Sequence, residues 1–283
     1  MTSSMPAPGD IVRPFADLSA WMRHFRAAEI PVLRETVEAI EALHANEDAT
    51  DANSIGEMIG GDPLMTLKIL IYASAHKSKR VETGVETVIA ALVMMGIPPF
   101  FRAFSEQVAV EDHLVDNADA LVGVGRVLRR AHRGARFALG FAIHRTDPNA
   151  ATIHAAALLH EFAELLLWCH APKLALAIQT IQRDDSTVRS SVAQQQVLNI
   201  ELANLQESLI SAWQLPRLLS ETGREPQAGN TGARTVALAA RLARHTANGW
   251  DNAAVPDDMS EIAELLNLSV AATSQLAMGI DVE

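Results

Sequence analysis

The chain has 283 residues, 49% hydrophobic and 20% charged, a profile that calls for a sizeable core and excludes disorder over most of its length. Acidic residues outnumber basic ones by 34 to 23, and the formal charge of -11 sets a field that repels nucleic acid and anionic membrane surfaces. Cys169 is the only cysteine, so an intrachain disulfide and a CxxC zinc site are excluded and a cytoplasmic location is expected. Abundant Ala and only 5% aromatic residues favour helix over sheet, and the expected fold class is all-α.

Residues 1–14, rich in Ser and Pro and without the basic and apolar regions of a signal peptide, read as a flexible lead. Apolar spacing predicts a helix over 15–28, and Pro31 opens a second that runs to about His44. Ser54 and Glu57 form a capping-box pattern for a short helix ending at Gly60-Gly61, and Asp62-Pro63 provides an N-cap and N1 proline for the next, to about Ala75. The segment 85–95 is apolar almost all round and is expected to be buried on most sides, with Met94 and Met95 filling core. Val88 to Phe101 is too short for a membrane span and is broken by Pro98-Pro99. Phe100, Phe101 and Trp250 are expected in the core rather than at an interface.

Polar residues 112–119 mark a junction, after which long helices are expected over 122–145 and 150–170, ending at Pro172. Further helices follow from Lys173 and Val188. The stretch 221–232 reads as an exposed loop, and helices resume at Ala233 with a break at Val255-Pro256.

Several of these segments, in this order, resemble the HDOD family, output domains related to the HD metal-dependent phosphohydrolases. The proline-led helix and the GGDP-initiated helix are similar to the family's N-terminal part, with Ser74-Ala75 where Asn-Ser is usual. AALLHEFAELLL resembles a degenerate HD helix pair that would read close to GLLHDIGKLLL in an active relative: His160 is kept, whereas Glu161, Ala163 and Glu164 replace Asp, Gly and Lys. Trp213, Leu215 and Pro216 keep the family's W-x-LP ending, Leu202 stands in place of a His, and Ala240 in place of the last metal-binding Asp. The resemblance implies an N-terminal helical subdomain (15–112) packed on a degenerate HD-like one (113–283). It also implies a non-catalytic regulatory module that acts through signalling protein partners and carries no cofactor.

A metal-dependent hydrolase of this kind needs imidazole and carboxylate ligands converging from several helices. His132, His160 and Glu161 are the candidates, and a divergent phosphohydrolase built on them is the alternative reading; the missing Asp at Ala240 and the reversed charge at Glu164 argue against it. His160 is expected instead to be a hydrogen-bonded helix residue, and Cys169 a buried thiol. Arg126, Arg129, Arg130, Arg133 and Arg136 fall on one side of a helix whose other side is apolar. No acidic residue on that helix interleaves with them, so either acids elsewhere in the fold cover the stripe or it meets an anionic partner surface or a nucleotide second messenger.

Overall fold

The computed structural model describes residues 11–76, 85–185, 187–222 and 229–282, and among them the fold is entirely helical. Residues 1–10, most of the expected lead, lie outside the described residues, and Ile11 is buried.

Helix α1 (Leu18–Ala27) starts where the Asp17 carboxylate accepts from the Ala20 amide (2.9 Å), and it buries Trp21 and Phe25. Pro31 does not open α2 (Arg34–His44). Val32 is held extended by a parallel bridge: its amide donates to the Val108 carbonyl (2.9 Å) and its carbonyl accepts from the Val110 amide (2.7 Å). The expected capping box does not form either. The start of α3 (Ala52–Ile59) is capped by Asp51, which takes both the amide and the hydroxyl of Ser54 at 2.8 Å, because a carboxylate is the stronger acceptor for that amide.

Helix α4 (Pro63–Ala75) begins at the expected Asp62-Pro63. The buried Asp62 carboxylate accepts from the amides of Leu64 (2.8 Å) and Met65 (3.2 Å), and also from the Leu33 amide (2.7 Å) and Thr36 Oγ1 (2.8 Å) at the start of α2. Burial pushes this carboxyl above the usual range, and the four donors work in the other direction.

Helices α5 (Val88–Met95), α6 (Ile97–Phe104) and α7 (Val110–His113) follow. The expectation that α5 is buried on most sides fails. Val88, Ala91 and Leu92 are buried, but Val93 is 71% and Met94 38% exposed, because α3 and α4 pack against one side only. Phe100 and Phe101 are buried, as expected.

Helix α8 (Ala118–His144) is capped by Asn117 and, at 27 residues, is about 40 Å long. The expected single helix over 150–170 is two, α9 (Ala150–Leu158) and α10 (Phe162–His170). Together they are long and apolar enough to cross a membrane by length and composition, yet 61% of their most apolar window is buried inside the fold. The rest comprises α11 (Pro172–Asp184), α12 (Ser190–Leu198), α13 (Leu202–Ala212), α14 (Arg217–Glu221), α15 (Thr231–His245), α16 (Val255–Leu266) and α17 (Val270–Val282). Residues 223–228 of the expected 221–232 loop lie outside the described residues.

Two hydrophobic cores result. The smaller is built from residues between Val32 and Phe104; the larger gathers α1 with the helices from α7 onward, so α1 packs with the second half of the chain. Helix α4 serves both, placing Leu64, Leu67 and Leu70 in the larger core and Met65, Ile69 and Ala73 in the smaller. In the larger core α8 is the axis. Gly123 lets Trp168 lie against it, since a Cβ there would meet the indole at 2.4 Å, and Gly134 brings α8 so close to α15 that an added Cβ would touch the Cα of Ala240 at 3.5 Å.

At the junction of α1, α7 and α10, the rings of His24, His113 and His170 stand edge to face, with centroids 5.3 and 5.4 Å apart about His170. Burial lowers the pKa of all three, that of His170 to about 3. The folded chain therefore takes up these protons less readily than the unfolded chain. Stability should be greatest above about pH 6.5 and fall as pH drops, with His170 alone contributing up to about 1.4 kcal/mol per pH unit down to about pH 3 and His24 and His113 adding in the same direction. Urea unfolding across this range should show that slope, and His170→Phe should flatten it. Gly123→Ala should lower stability by about 1–3 kcal/mol in the same assay, since the added methyl would meet the Trp168 indole at 2.4 Å and force the large ring to shift.

Candidate functional site

The break between α9 and α10 builds the site. Interrupting the helix at 159–161 frees backbone groups, and Gln206 of α13 satisfies two of them: its Nε2 donates to the His160 carbonyl (2.6 Å) and its Oε1 accepts from the Ala163 amide (3.3 Å). The kink turns Glu161 toward two guanidinium groups. Arg130 of α8 donates from Nε to Glu161 Oε2 (2.5 Å), and Arg244 of α15 donates to Oε1 (2.8 Å). Arg130 also reaches Glu164 Oε2 (2.7 Å). A single carboxylate thus ties α8, α10 and α15 together.

Burial disfavours the charge on Glu161, but Arg130 and Arg244 outweigh it and hold its carboxyl below the usual range. Glu164 goes the other way, since burial prevails over its share of Arg130 and raises its pKa. Burial keeps the His160 imidazole neutral. The expectation that His160 is hydrogen-bonded fails for its ring: Nδ1 is enclosed and has no partner among the described residues, because the break directs the backbone carbonyl, not the imidazole, to Gln206.

These groups form one end of a cavity of about 520 Å³, a size typical of small-molecule sites. Leu167, Trp168, Ala175 and Ile178 supply apolar wall, and Gln179, Gln182 and Ser191 supply polar wall. Leu202, where the resemblance sets a His, also lines it.

His132, the third candidate ligand, is not brought to His160 and Glu161. Its Nε2 donates to the Gly61 carbonyl (2.7 Å) at the head of α4, and it does not line the cavity. Ala240 is buried in the α8–α15 crossing, and one turn further on Arg244 carries positive charge to Glu161. Among the described residues no group of three His, Cys, Asp or Glu side chains is placed to hold a metal ion. Cys169 is buried and its thiol pKa is pushed up by burial, so it is a poor nucleophile.

The arginine stripe divides. Arg130 is consumed by Glu161 and Glu164, and Arg133 pairs bidentately with Asp281 of α17 (2.5 and 2.6 Å) while lying over the Phe137 and Trp250 rings. Arg126, Arg129 and Arg136 are exposed, and no ion pair engages them among the described residues. Spacing on α8 made the stripe visible in the sequence. Its acidic partners were not, because they come from α10 and α17.

The segments that carry the resemblance also meet in space. Ser74 Oγ at the end of α4 donates to the Gln214 carbonyl (2.9 Å), inside the turn between Trp213 and Leu215, and the Trp213 ring packs 6.0 Å from that of Phe162. The model of the HDOD domain matches residues 30–227. The chain belongs to the HDOD family. The MmoQ response regulator from Methylococcus capsulatus has a similar structure, at 17% identity and a TM-score of 0.66 over 89% of this chain and 98% of that one. A virulence factor from Campylobacter jejuni matches at 15% identity and a TM-score of 0.65 over 92% of each chain. At such identities the likeness concerns the fold. None of the curated proteins matches the chain.

Within this HDOD chain the ion network and the outer stripe should respond differently to mutation. Arg130→Ala leaves Glu161 with Arg244 alone and takes the guanidinium from the half-buried Glu164, and is expected to cost about 1–3 kcal/mol, whereas Arg129→Ala on the exposed face should stay within about 0.5 kcal/mol of the parent, both read by urea unfolding.

Proposed function

We propose that this HDOD chain is a non-catalytic signal-transduction module of the cytoplasm that acts by contacts with other proteins. One observation carries the reading: the carboxylate at the HD position is held by two guanidinium groups, Arg130 and Arg244, in a hydrogen-bonded arrangement that a metal ion would have to dismantle. The position of the last metal-binding Asp is the small buried Ala240. The description of a structural relative as a response regulator supports the same reading.

The contact surface in this proposal is the outer face of α8. Arg126, Arg129 and Arg136 stand exposed on a chain of net charge -11, and guanidinium forks suit the carboxylates of an acidic protein surface. Arg133, which would serve a nucleotide on the same face, is already bound to Asp281, and this weighs against a nucleotide second messenger there.

Two experiments test the proposal. Elemental analysis after incubation with manganese, iron and zinc should find no stoichiometric metal; metal that disappears in His160→Ala would restore the hydrolase alternative. The triple reversal Arg126→Glu, Arg129→Glu, Arg136→Glu should keep the helical circular dichroism of the parent and lose its crosslinked partners in cells. Recovery of the same partners by both proteins would remove this face from the proposal.

A further inference from the structure

The arginine face of α8 is already occupied at one point by a helix of the same chain. Arg126, Arg129, Arg133 and Arg136 fall within about 80° of arc on α8, and Val122 and Gly140 lie on the same line at its two ends. Val122, Arg126, Arg129 and Arg136 are exposed. Arg133, in the middle, is taken. Its Nε and one terminal nitrogen donate to the two oxygens of Asp281 (2.5 and 2.6 Å), and its other terminal nitrogen donates to the Thr246 carbonyl (2.5 Å). The Asp281 carboxylate also accepts from Trp250 Nε1 (3.2 Å). Its hydrogen bonds to Arg133 hold this carboxyl below the usual range, and the charge of Arg136 adds to the effect.

The helix that supplies Asp281 is lightly held. After Asn267 the chain bends by 98° from α16 into α17, which buries only Thr273 and Ala277. Asp281 stands in the last turn of α17 beside Ile280, whose side chain fills the notch at Gly140: an added Cβ there would meet Ile280 Cδ1 at 2.4 Å. Met278 and Val282 in the same stretch are exposed. Opening this one turn releases Arg133 and uncovers the notch while Thr273 and Ala277 stay buried, and openings of this kind cost the least free energy.

The contact with α17 displays what the α8 face accepts, a carboxylate on the Arg133 fork and a branched apolar side chain on Gly140. A small free anion supplies the first without the second. An acidic amphipathic helix supplies both, and reaches Arg126, Arg129 and Val122 as well.

We propose that the last turn of α17 is a built-in competitor on the α8 face, displaced when an acidic amphipathic helix of a partner protein places its own carboxylate on Arg133 and its own apolar residue on Gly140. This rests on the reading of α8 as the contact surface, and adds the kind of segment that surface takes and what controls access to it.

Fluorescence anisotropy with the full-length protein and a synthetic helical peptide tests the proposal. The peptide carries glutamates spaced to meet Arg126, Arg129, Arg133 and Arg136 and an isoleucine spaced to meet Gly140; a control peptide has glutamine for every glutamate. Asp281→Asn should bind the acidic peptide at least tenfold more tightly than the parent does, with no gain for the control, and adding Arg133→Gln should remove the gain. Loss of one negative charge would by itself favour an acidic peptide, so a second variant holds α17 down. A Cβ at Gly140 would stand 2.9 Å from Ile280 Cγ1, one bond from the Ile280 Cβ, a separation that a disulfide spans, and the buried Cys169 is no rival. The double variant Gly140→Cys, Ile280→Cys should bind the acidic peptide at least tenfold more weakly when oxidised than when reduced. In the parent, the peptide should speed hydrogen exchange at the end of α17. Equal binding by parent and Asp281→Asn, equal binding by the oxidised and reduced double variant, or slower exchange in α17 overturns the competitor; if Arg126→Glu, Arg129→Glu, Arg136→Glu still abolishes that binding, the α8 face stands without it. Failure of the acidic peptide to bind any of these proteins, or binding that survives the triple reversal, overturns both.

Discussion

Glu161 is the joint on which the larger half of the molecule depends. A glutamate at a helix break, buried and charged, costs far more than it returns unless it is met on both oxygens, and here the two partners come from helices more than one hundred residues apart in sequence. The arrangement fixes the relative positions of α8, α10 and α15 in a way that alanine and leucine contacts alone would not, because apolar surfaces slide and charged forks do not. Gln206 completes the joint by holding the broken backbone open, and the cavity exists because the break is held. Structure and site are therefore the same feature seen from two sides.

The same residues show how a centre of buried carboxylates can be held together without a metal ion. In a metal-dependent hydrolase the acids at such a centre would be drawn together by cations. In this chain the cohesive charge is built in as guanidinium, delivered by Arg130 from one side and by Arg244 from one turn beyond Ala240 on the other. The crossing of α8 on α15 is correspondingly tight and apolar at Gly134 and Ala240, a packing solution where an ionic one would otherwise be needed.

Much of this was legible in the sequence, and the misses have physical causes. Asp62-Pro63 announced α4, since a cap and an N1 proline are local chemistry, but nothing local says that the same carboxylate also takes Leu33 and Thr36. Local rules favour a helix start at Pro31; a bridge from Val32 to Ala109, 77 positions away, overrides them. Val93 and Met94 show that hydrophobicity all round a helix does not guarantee neighbours all round it. At the site, His160 and Glu161 were visible through a resemblance, and Arg130 through its place on the stripe. Arg244 carried no signal beyond standing four residues after the position of the missing aspartate.

The two-faced character of α4 bears on how the molecule comes apart. A helix whose successive turns are shared between two cores cannot leave one without uncovering the other, so the cores should behave as a single cooperative unit in hydrogen exchange even though they are separate clusters of side chains. Helix α5, with one side in solvent, and α17, with only Thr273 and Ala277 buried, stand at the edge of that unit and set its low-energy openings. A disturbance that reaches α4 from either core is therefore felt in the other as well.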